Sequence, residues 1–195
     1  MKIVLTSCGI INEKLKHDTL SLFDKDIKRV KVLYITTAID GENSKDQSWI
    51  EEEYNSIINF GILKENITEY KIGNPISINE YDAIYMLGGN TFYLMAKIRE
   101  YNFDKIIYEA LKNNTVYIGS SAGSIVLGKT VEIALNYDEN EVNLTDYSAL
   151  NIVDGVVIPH ANRKQKFIEK YKKSTNNRLI TLYDGEGVVI NNELN

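Results

Sequence analysis

Thr115-Val116-Tyr117-Ile118-Gly119-Ser120-Ser121-Ala122-Gly123-Ser124-Ile125-Val126-Leu127 decides how this chain is read. The first part is short, rich in β-forming residues and free of charge, as in a strand buried on both faces of a sheet. The second part reads as the start of a helix, with Ala122, Ile125, Val126 and Leu127 as its apolar positions. Between them, Gly119, Ser121 and Gly123 fit the pattern Gly-x-Ser-x-Gly. The spacing has a steric reason. Where a strand turns abruptly into a helix, the two approach closely, so the residues two before and two after the turn must be small. The hydroxyl at the turn is pushed out above the strand ends, and the following helix start directs partial positive charge at whatever reacts there. Ser121 is the candidate nucleophile, with Ser120 as its rival. The bland alternative is a glycine-bounded turn in which serine only caps a helix.

Outward from this stretch, short β-rich runs alternate with longer amphipathic ones. Strands are expected over residues 2–7, 31–37, 66–72, 82–87 and 155–159, and two more over 178–182 and 187–190. Helices are expected over 13–27, over 44–60 with Gly61 as the stop, over 91–112 with a break near Asn102, and over the basic segment 163–173. Residues 129–150 resist assignment, and Asn136-Tyr137-Asp138-Glu139-Asn140-Glu141 reads as a polar loop. This alternation predicts an open, mostly parallel α/β sheet. Ligands bind such sheets beyond the carboxyl ends of the strands. Gly88-Gly89-Asn90, Gly119 to Gly123, and Pro159-His160 all fall at such ends.

Paired glycines let backbone N–H groups approach a ligand closely. The N–H groups of Gly89 and Ala122 are therefore the expected oxyanion donors. An ordinary turn with Asn90 as a helix N-cap is the alternative, and both can hold at once. Only two histidines exist. His17 lies in Glu13-Lys14-Leu15-Lys16-His17-Asp18, which reads as an exposed helix face, so the general base is expected at His160. A neutral imidazole there can take the serine proton and return it to a leaving amine. The competing reading is a histidine packed under a loop. An acceptor on its Nδ1–H would fix the tautomer and stabilise the imidazolium. Asp184, at a strand end 24 positions after His160, is one candidate; Asn136, Asp138 and Glu139 are others.

The length of 195 residues suits one domain spanning 1–195. Hydrophobic residues at 44% and charged residues at 25% are ordinary for a soluble globular protein. No apolar run approaches the roughly 18 residues that span a bilayer, and Met1 to Ser7 reads as a strand rather than a signal peptide. A lone cysteine, Cys8, excludes an internal disulfide and fits a reducing, cytoplasmic setting. A net charge of −5 without a dense basic block argues against nucleic acid as a partner. One cysteine and two histidines cannot build the usual zinc clusters, and no loop has calcium or magnesium ligand spacing. No metal or cofactor is expected; a monomer and a homodimer are equally compatible with the sequence.

Leu87-Gly88-Gly89-Asn90-Thr91, then Gly119-Ser120-Ser121-Ala122-Gly123, then Pro159-His160, then Leu182-Tyr183-Asp184-Gly185 occur in the order seen in the dipeptidase E family. The chain resembles these aspartyl dipeptidases, relatives of cyanophycinase, from its first strand to its last. The resemblance implies a three-layer α/β sandwich, flavodoxin-like or class I glutamine-amidotransferase-like. It also implies a metal-independent serine exopeptidase acting on small peptides. It carries the nucleophile onto Ser121 and the base onto His160. The family's acid near the C-terminal strand maps onto Asp184, where relatives often have glutamate; a placement shortly after the nucleophile leaves Asn136 and Asp138. The implied substrates are dipeptides with N-terminal aspartate, whose carboxylate needs a basic partner. Arg163 and Lys166 resemble a basic pair of the family, and Asn90 is taken as a second substrate-binding residue. Arg163 would offer two parallel bonds and Lys166 a point charge. The plainer reading is a solvated basic face of Arg163, Lys164, Lys166, Lys170, Lys172 and Lys173. Two other functions compete with a peptidase: a non-catalytic ligand-binding protein on the same sheet, and an amidase or esterase with the same machinery.

Overall fold

The runs read as doubly buried strands lie at the centre of a sheet, with every residue of Val32–Ile35 and Val116–Ser120 buried. The computed structural model describes residues 1–43 and 47–192. Its strands are β1 (Lys2–Thr6), β2 (Val32–Ile35), β3 (Ile67–Tyr70), β4 (Ala83–Met86), β5 (Val116–Ser120), β6 (Val156–Ile158), β7 (Leu179–Thr181) and β8 (Gly187–Asn191). Six of them form the central sheet in the order β3-β2-β4-β5-β1-β8. All its pairs are parallel except β8 on β1. The helices are α1 (Glu13–Leu20), α2 (Ser48–Phe60), α3 (Thr91–Glu100), α4 (Phe103–Lys112), α5 (Ala122–Ile125) and α6 (Gln165–Ser174).

Side chains alternate across each strand, so the sheet feeds two apolar cores. Ile3, Leu5, Leu33, Ile35, Met86 and Tyr117 pack on one face with Phe92 and Leu94 of α3 and Phe103 and Ile107 of α4. Val4, Val32, Tyr34, Tyr85 and Ile118 pack on the other with Leu15 of α1 and Ile57 and Phe60 of α2. The result is a three-layer α/β sandwich around a mostly parallel sheet. No helix among the described residues is long and apolar enough to cross a membrane.

Several elements differ from their sequence reading, each for a local reason. Helix α1 stops at Leu20, where the Ser21 hydroxyl donates to the Asp18 carbonyl; Asp26 then caps a separate 3-10 turn over Ile27–Arg29. The expected start of α2 at residues 44–46 lies outside the described residues, and Gly61 ends that helix with φ 114°. Asn102, at φ 52°, divides α3 from α4. Helix α5 is a single turn, because the N–H groups of Leu150, Ile152 and Val153 take the carbonyls of Val126 and Leu127. Part of the unassigned segment becomes a 3-10 turn over Glu132–Asn136. Strand β6 does not join the central sheet. It pairs in parallel with β7 alone; His160 follows β6 and Asp184 follows β7, at the same end of this small sheet.

The glycines at the β5–α5 turn are there for packing. A Cβ on Gly123 would lie 2.1 Å from the Met86 carbonyl oxygen, and one on Gly119 would lie 2.6 Å from the Gly123 carbonyl oxygen. Both obstacles are backbone, which yields little. Gly123→Ala is expected to cost about 3 kcal/mol or more in urea unfolding. A loss below about 1 kcal/mol would show that the turn has room to spare.

Candidate active site

Ser121 occupies the turn between β5 and α5 at φ 46°, ψ −109°, a conformation that non-glycine residues rarely adopt. Its N–H donates to the Thr6 carbonyl at 3.1 Å, which ties the turn to the end of β1. From the other side the loop after β4 closes in: a Cβ on Gly88 would stand 3.1 Å from Ser121 Cβ. The ends of three adjacent strands thus hold one strained residue with its hydroxyl facing a cleft.

The small sheet brings the remaining groups to this hydroxyl. Ser121 Oγ lies 3.1 Å from His160 Nε2, and His160 Nδ1 lies 2.6 Å from Asp184 Oδ1. His160 itself sits at φ 55° after β6. The other Asp184 oxygen accepts from Asn162 Nδ2 at 2.9 Å and pairs with Arg163 Nη2 at 2.7 Å. Desolvation alone would raise the Asp184 carboxyl, but donors from Asn162, His160 and Ser7 outweigh it and hold the group well below the usual carboxylate range. Burial lowers the pKa of His160, only partly opposed by Asp184. The imidazole is thus kept neutral and able to accept a proton, and the carboxylate beside it stays ionised.

The other acid candidates have different hydrogen-bond partners. Asn136 is exposed and donates to the Ile133 carbonyl, and the Glu139 carboxylate accepts from Asn43. Asp138 reaches the cleft, but its Oδ2 accepts the Thr91 N–H at 2.8 Å, and burial raises its pKa. His17 is exposed on α1 beside Asp18.

The cleft has a volume of about 460 Å³. Gly88, Gly89 and Ser121 line it together with Trp49, Tyr137 and Lys164. Two larger depressions, of about 630 and 700 Å³, lie by α6 and α1, and neither is lined by a histidine. Asn90 does not line the cleft. It is buried, its Oδ1 caps α3 through the Tyr93 N–H, and its Nδ2 donates to the Glu139 carbonyl, so its amide is committed to the fold. Arg163 lines the cleft but gives one arm to Asp184. Lys166 is exposed on α6 and does not line the cleft; Lys164, just before the helix, does. Its ammonium lies 3.5 Å from the centroid of the Tyr137 ring. Burial pushes the Lys164 pKa down to about 8, against the pull of Asp138 and Asp184.

Three residues here were not singled out from sequence. Lys164 was hidden in a run of similar charges. Ser7, whose hydroxyl donates to Asp184 Oδ1 at 3.0 Å, carries no pattern at all. Glu53 lies in Glu51-Glu52-Glu53, which looks like a solvated helix face, yet it is only 7% exposed. Its carboxyl accepts from Ser120 Oγ at 2.6 Å and Tyr85 Oη at 3.2 Å under the cleft. Burial, only partly offset by these donors, pushes it up to about 7.

A serine, a histidine and an ionised carboxylate in hydrogen-bonded series beyond a parallel sheet place the protein among serine hydrolases. Residues 3–194 match Peptidase family S51; the chain belongs to this family and is a serine peptidase. It is similar to Uncharacterized peptidase Lmo0363 of Listeria monocytogenes serovar 1/2a, 29% identical over 172 residues, which are 86% of this chain and 80% of the relative. Peptidase E of Shewanella sp. (strain ANA-3) is 37% identical over 84 residues, 43% of this chain and 35% of the relative. A crystal structure of a candidate peptidase E from Listeria monocytogenes EGD-e superposes with a TM-score of 0.78 at 26% identity, covering 97% of this chain and 93% of that one. A peptidase from an acI-B1 actinobacterium shares the fold, with a TM-score of 0.66 at 20% identity over 97% and 82% of the two chains.

Glu53 makes stability depend on pH in a defined direction. Its carboxyl titrates near 7 in the folded chain against an ordinary 4.5, so its favourable contribution is complete below the ordinary value and is lost as pH rises through about 7. Thermal melts of Glu53→Gln and the native chain should therefore diverge in favour of the variant between pH 5 and pH 8. A constant difference across that window would mean that this carboxyl does not titrate differently on folding.

Proposed function

We propose that this protein is a cytoplasmic serine exopeptidase that hydrolyses small peptides, favouring dipeptides with N-terminal aspartate, through an acyl-enzyme on Ser121. The observation that carries this reading is the unbroken series Ser121 Oγ, His160 Nε2, His160 Nδ1 and Asp184 Oδ1 at the edge of an open cleft. The turn at Ser121 then acts as a nucleophile elbow. The lone Cys8 supports a reducing compartment.

His160 Nε2 accepts the Ser121 proton as Oγ attacks the scissile carbonyl carbon. The resulting imidazolium is stabilised by the ionised Asp184. The oxyanion is held by the N–H groups of Gly89, after β4, and Ala122, at the first position of α5, where a helix N–H has no partner within the helix. His160 then protonates the departing amine as the carbon–nitrogen bond breaks. A water molecule, deprotonated by the same imidazole, releases the acyl group from Ser121. Lys164 is the best-placed group to meet a substrate carboxylate. Its ammonium is partly desolvated beside the Tyr137 ring, so a carboxylate arriving there would restore favourable charge pairing. An amidase or esterase would use the same steps, and the substrate panel separates them.

Hydrolysis of Asp-X dipeptides, Ala-X dipeptides and acyl esters should be measured with the native chain and its variants. Ser121→Ala is expected to lower kcat by about 10⁵-fold or more, and Asp184→Asn by about 10³–10⁴-fold. If the native chain and Ser121→Ala behave alike across the panel, the proposal fails. The acid limb of kcat/KM should have its midpoint below 6.5, because burial lowers His160 and activity appears as the imidazole loses its proton. Lys164→Gln should raise KM for Asp-X about tenfold while leaving Ala-X within about twofold. Equal effects on both substrates would remove Lys164 from acidic-residue recognition.

A further inference from the structure

Ser7 follows β1 and is fully buried. Its hydroxyl meets both the acid and the base. It donates to Asp184 Oδ1 at 3.0 Å, accepts the backbone N–H of His160 at 2.9 Å, and lies 3.1 Å from His160 Nδ1. Its own N–H donates to the Glu186 carbonyl at 3.3 Å, which ties it to the turn that carries Asp184. One side chain thus links the end of β1 to the ends of β6 and β7.

The donor inventory of this cluster is restrictive. A serine hydroxyl has one proton and two lone pairs. With that proton on Asp184 and a lone pair on the His160 N–H, the remaining donor to Asp184 Oδ1 is the Nδ1–H of the imidazole. That leaves Nε2 unprotonated toward Ser121. The N–H that Ser7 accepts belongs to a residue at φ 55°, ψ 38°, a region that costs histidine energy and needs outside restraint.

Resting on the reading of Ser121, His160 and Asp184 as the catalytic series, we propose that Ser7 is a positioning residue. Its hydroxyl locks Asp184 against Nδ1 and anchors the His160 backbone so that Nε2 stays aimed at the nucleophile. Ser7 does not line the cleft, and its hydroxyl meets only Asp184 and His160. Removing the hydroxyl takes one donor from Asp184, which strengthens the pull of that carboxylate on the imidazolium and raises the basicity of His160. It also frees the ring to move. The charged and titratable groups that line the cleft with His160 are Asp184 after β7, Arg163 and Lys164 after β6, Tyr137 and Asp138 from the 129–150 segment, Cys8 beside Ser7, and Glu42, Glu52 and Glu53. All of them remain in Ser7→Ala.

The test is Asp-X hydrolysis against pH by full-length native chain, Ser7→Ala and Ser7→Cys, with rates expressed per site titrated by a serine-directed phosphonate. For Ser7→Ala, kcat per titrated site should fall about 10- to 100-fold. KM should change by less than about twofold, and the acid limb should move up by about half a pH unit or more. Ser7→Cys, which nearly preserves volume, should fall between the two; it alone carries the test if Ser7→Ala does not fold. A purely structural role would lower the melting temperature and the number of titratable sites while leaving kcat per site and the acid limb native, and that result overturns the proposal. A native chain that neither cleaves substrate nor reacts with phosphonate would instead sink the peptidase reading beneath it.

Discussion

The close crossing of β5, α5 and β4 is the constraint on which the rest of the molecule depends. Gly123 lies so near the Met86 carbonyl that nothing larger fits, and Gly119 in turn lies too close to the Gly123 carbonyl for a Cβ. These contacts force the chain to reverse within one residue, and Ser121 absorbs the reversal at φ 46°. A side chain so placed cannot fold back on the sheet. Two fully packed cores on either face of that sheet supply the energy that holds the strain, since each buried aliphatic or aromatic side chain contributes about 1.5–3 kcal/mol.

Around that turn, burial sorts the ionisable groups. Asp184 accepts four donors and stays charged. Glu53, buried more deeply with two neutral donors, is drawn toward neutrality. The difference follows from the number and charge of the partners, and it gives two carboxyls of one cleft opposite characters at neutral pH. His160 lies between these regimes, lowered by burial and steadied by a charged neighbour. Burial lowers Lys164 to about 8, against the pull of Asp138 and Asp184.

The sheet and most of the site's parts were legible because they are local. Charge-free runs mark doubly buried strands, Gly61 marks a helix end, and glycines around Ser121 mark a tight turn; each depends only on residues a few positions apart. Asn90 shows what such reading leaves open. Asparagine after two glycines suits a binding loop and a helix cap equally, and here its amide is consumed by the Tyr93 N–H and the Glu139 carbonyl, a partner 49 positions away. Glu53 and Lys164 were lost for the opposite reason. Each sits among like charges, and only packing against other elements separates the buried member from its solvated neighbours.

By itself, the sequence determined the α/β layering, the turn at Ser121, and the placing of His160 and Asp184 at strand ends, since hydrophobic period and glycine spacing encode these directly. Tertiary structure alone decided that β6 and β7 leave the central sheet as a separate pair, and that this pair delivers an imidazole and a carboxylate to a serine 39 and 63 positions earlier in the chain. It alone brought Asp184 within hydrogen-bond distance of His160, and put the Ser7 hydroxyl between the two. Hydrogen bonds of 2.6–3.1 Å across such separations depend on how whole elements dock, and no local pattern of residues records that distance.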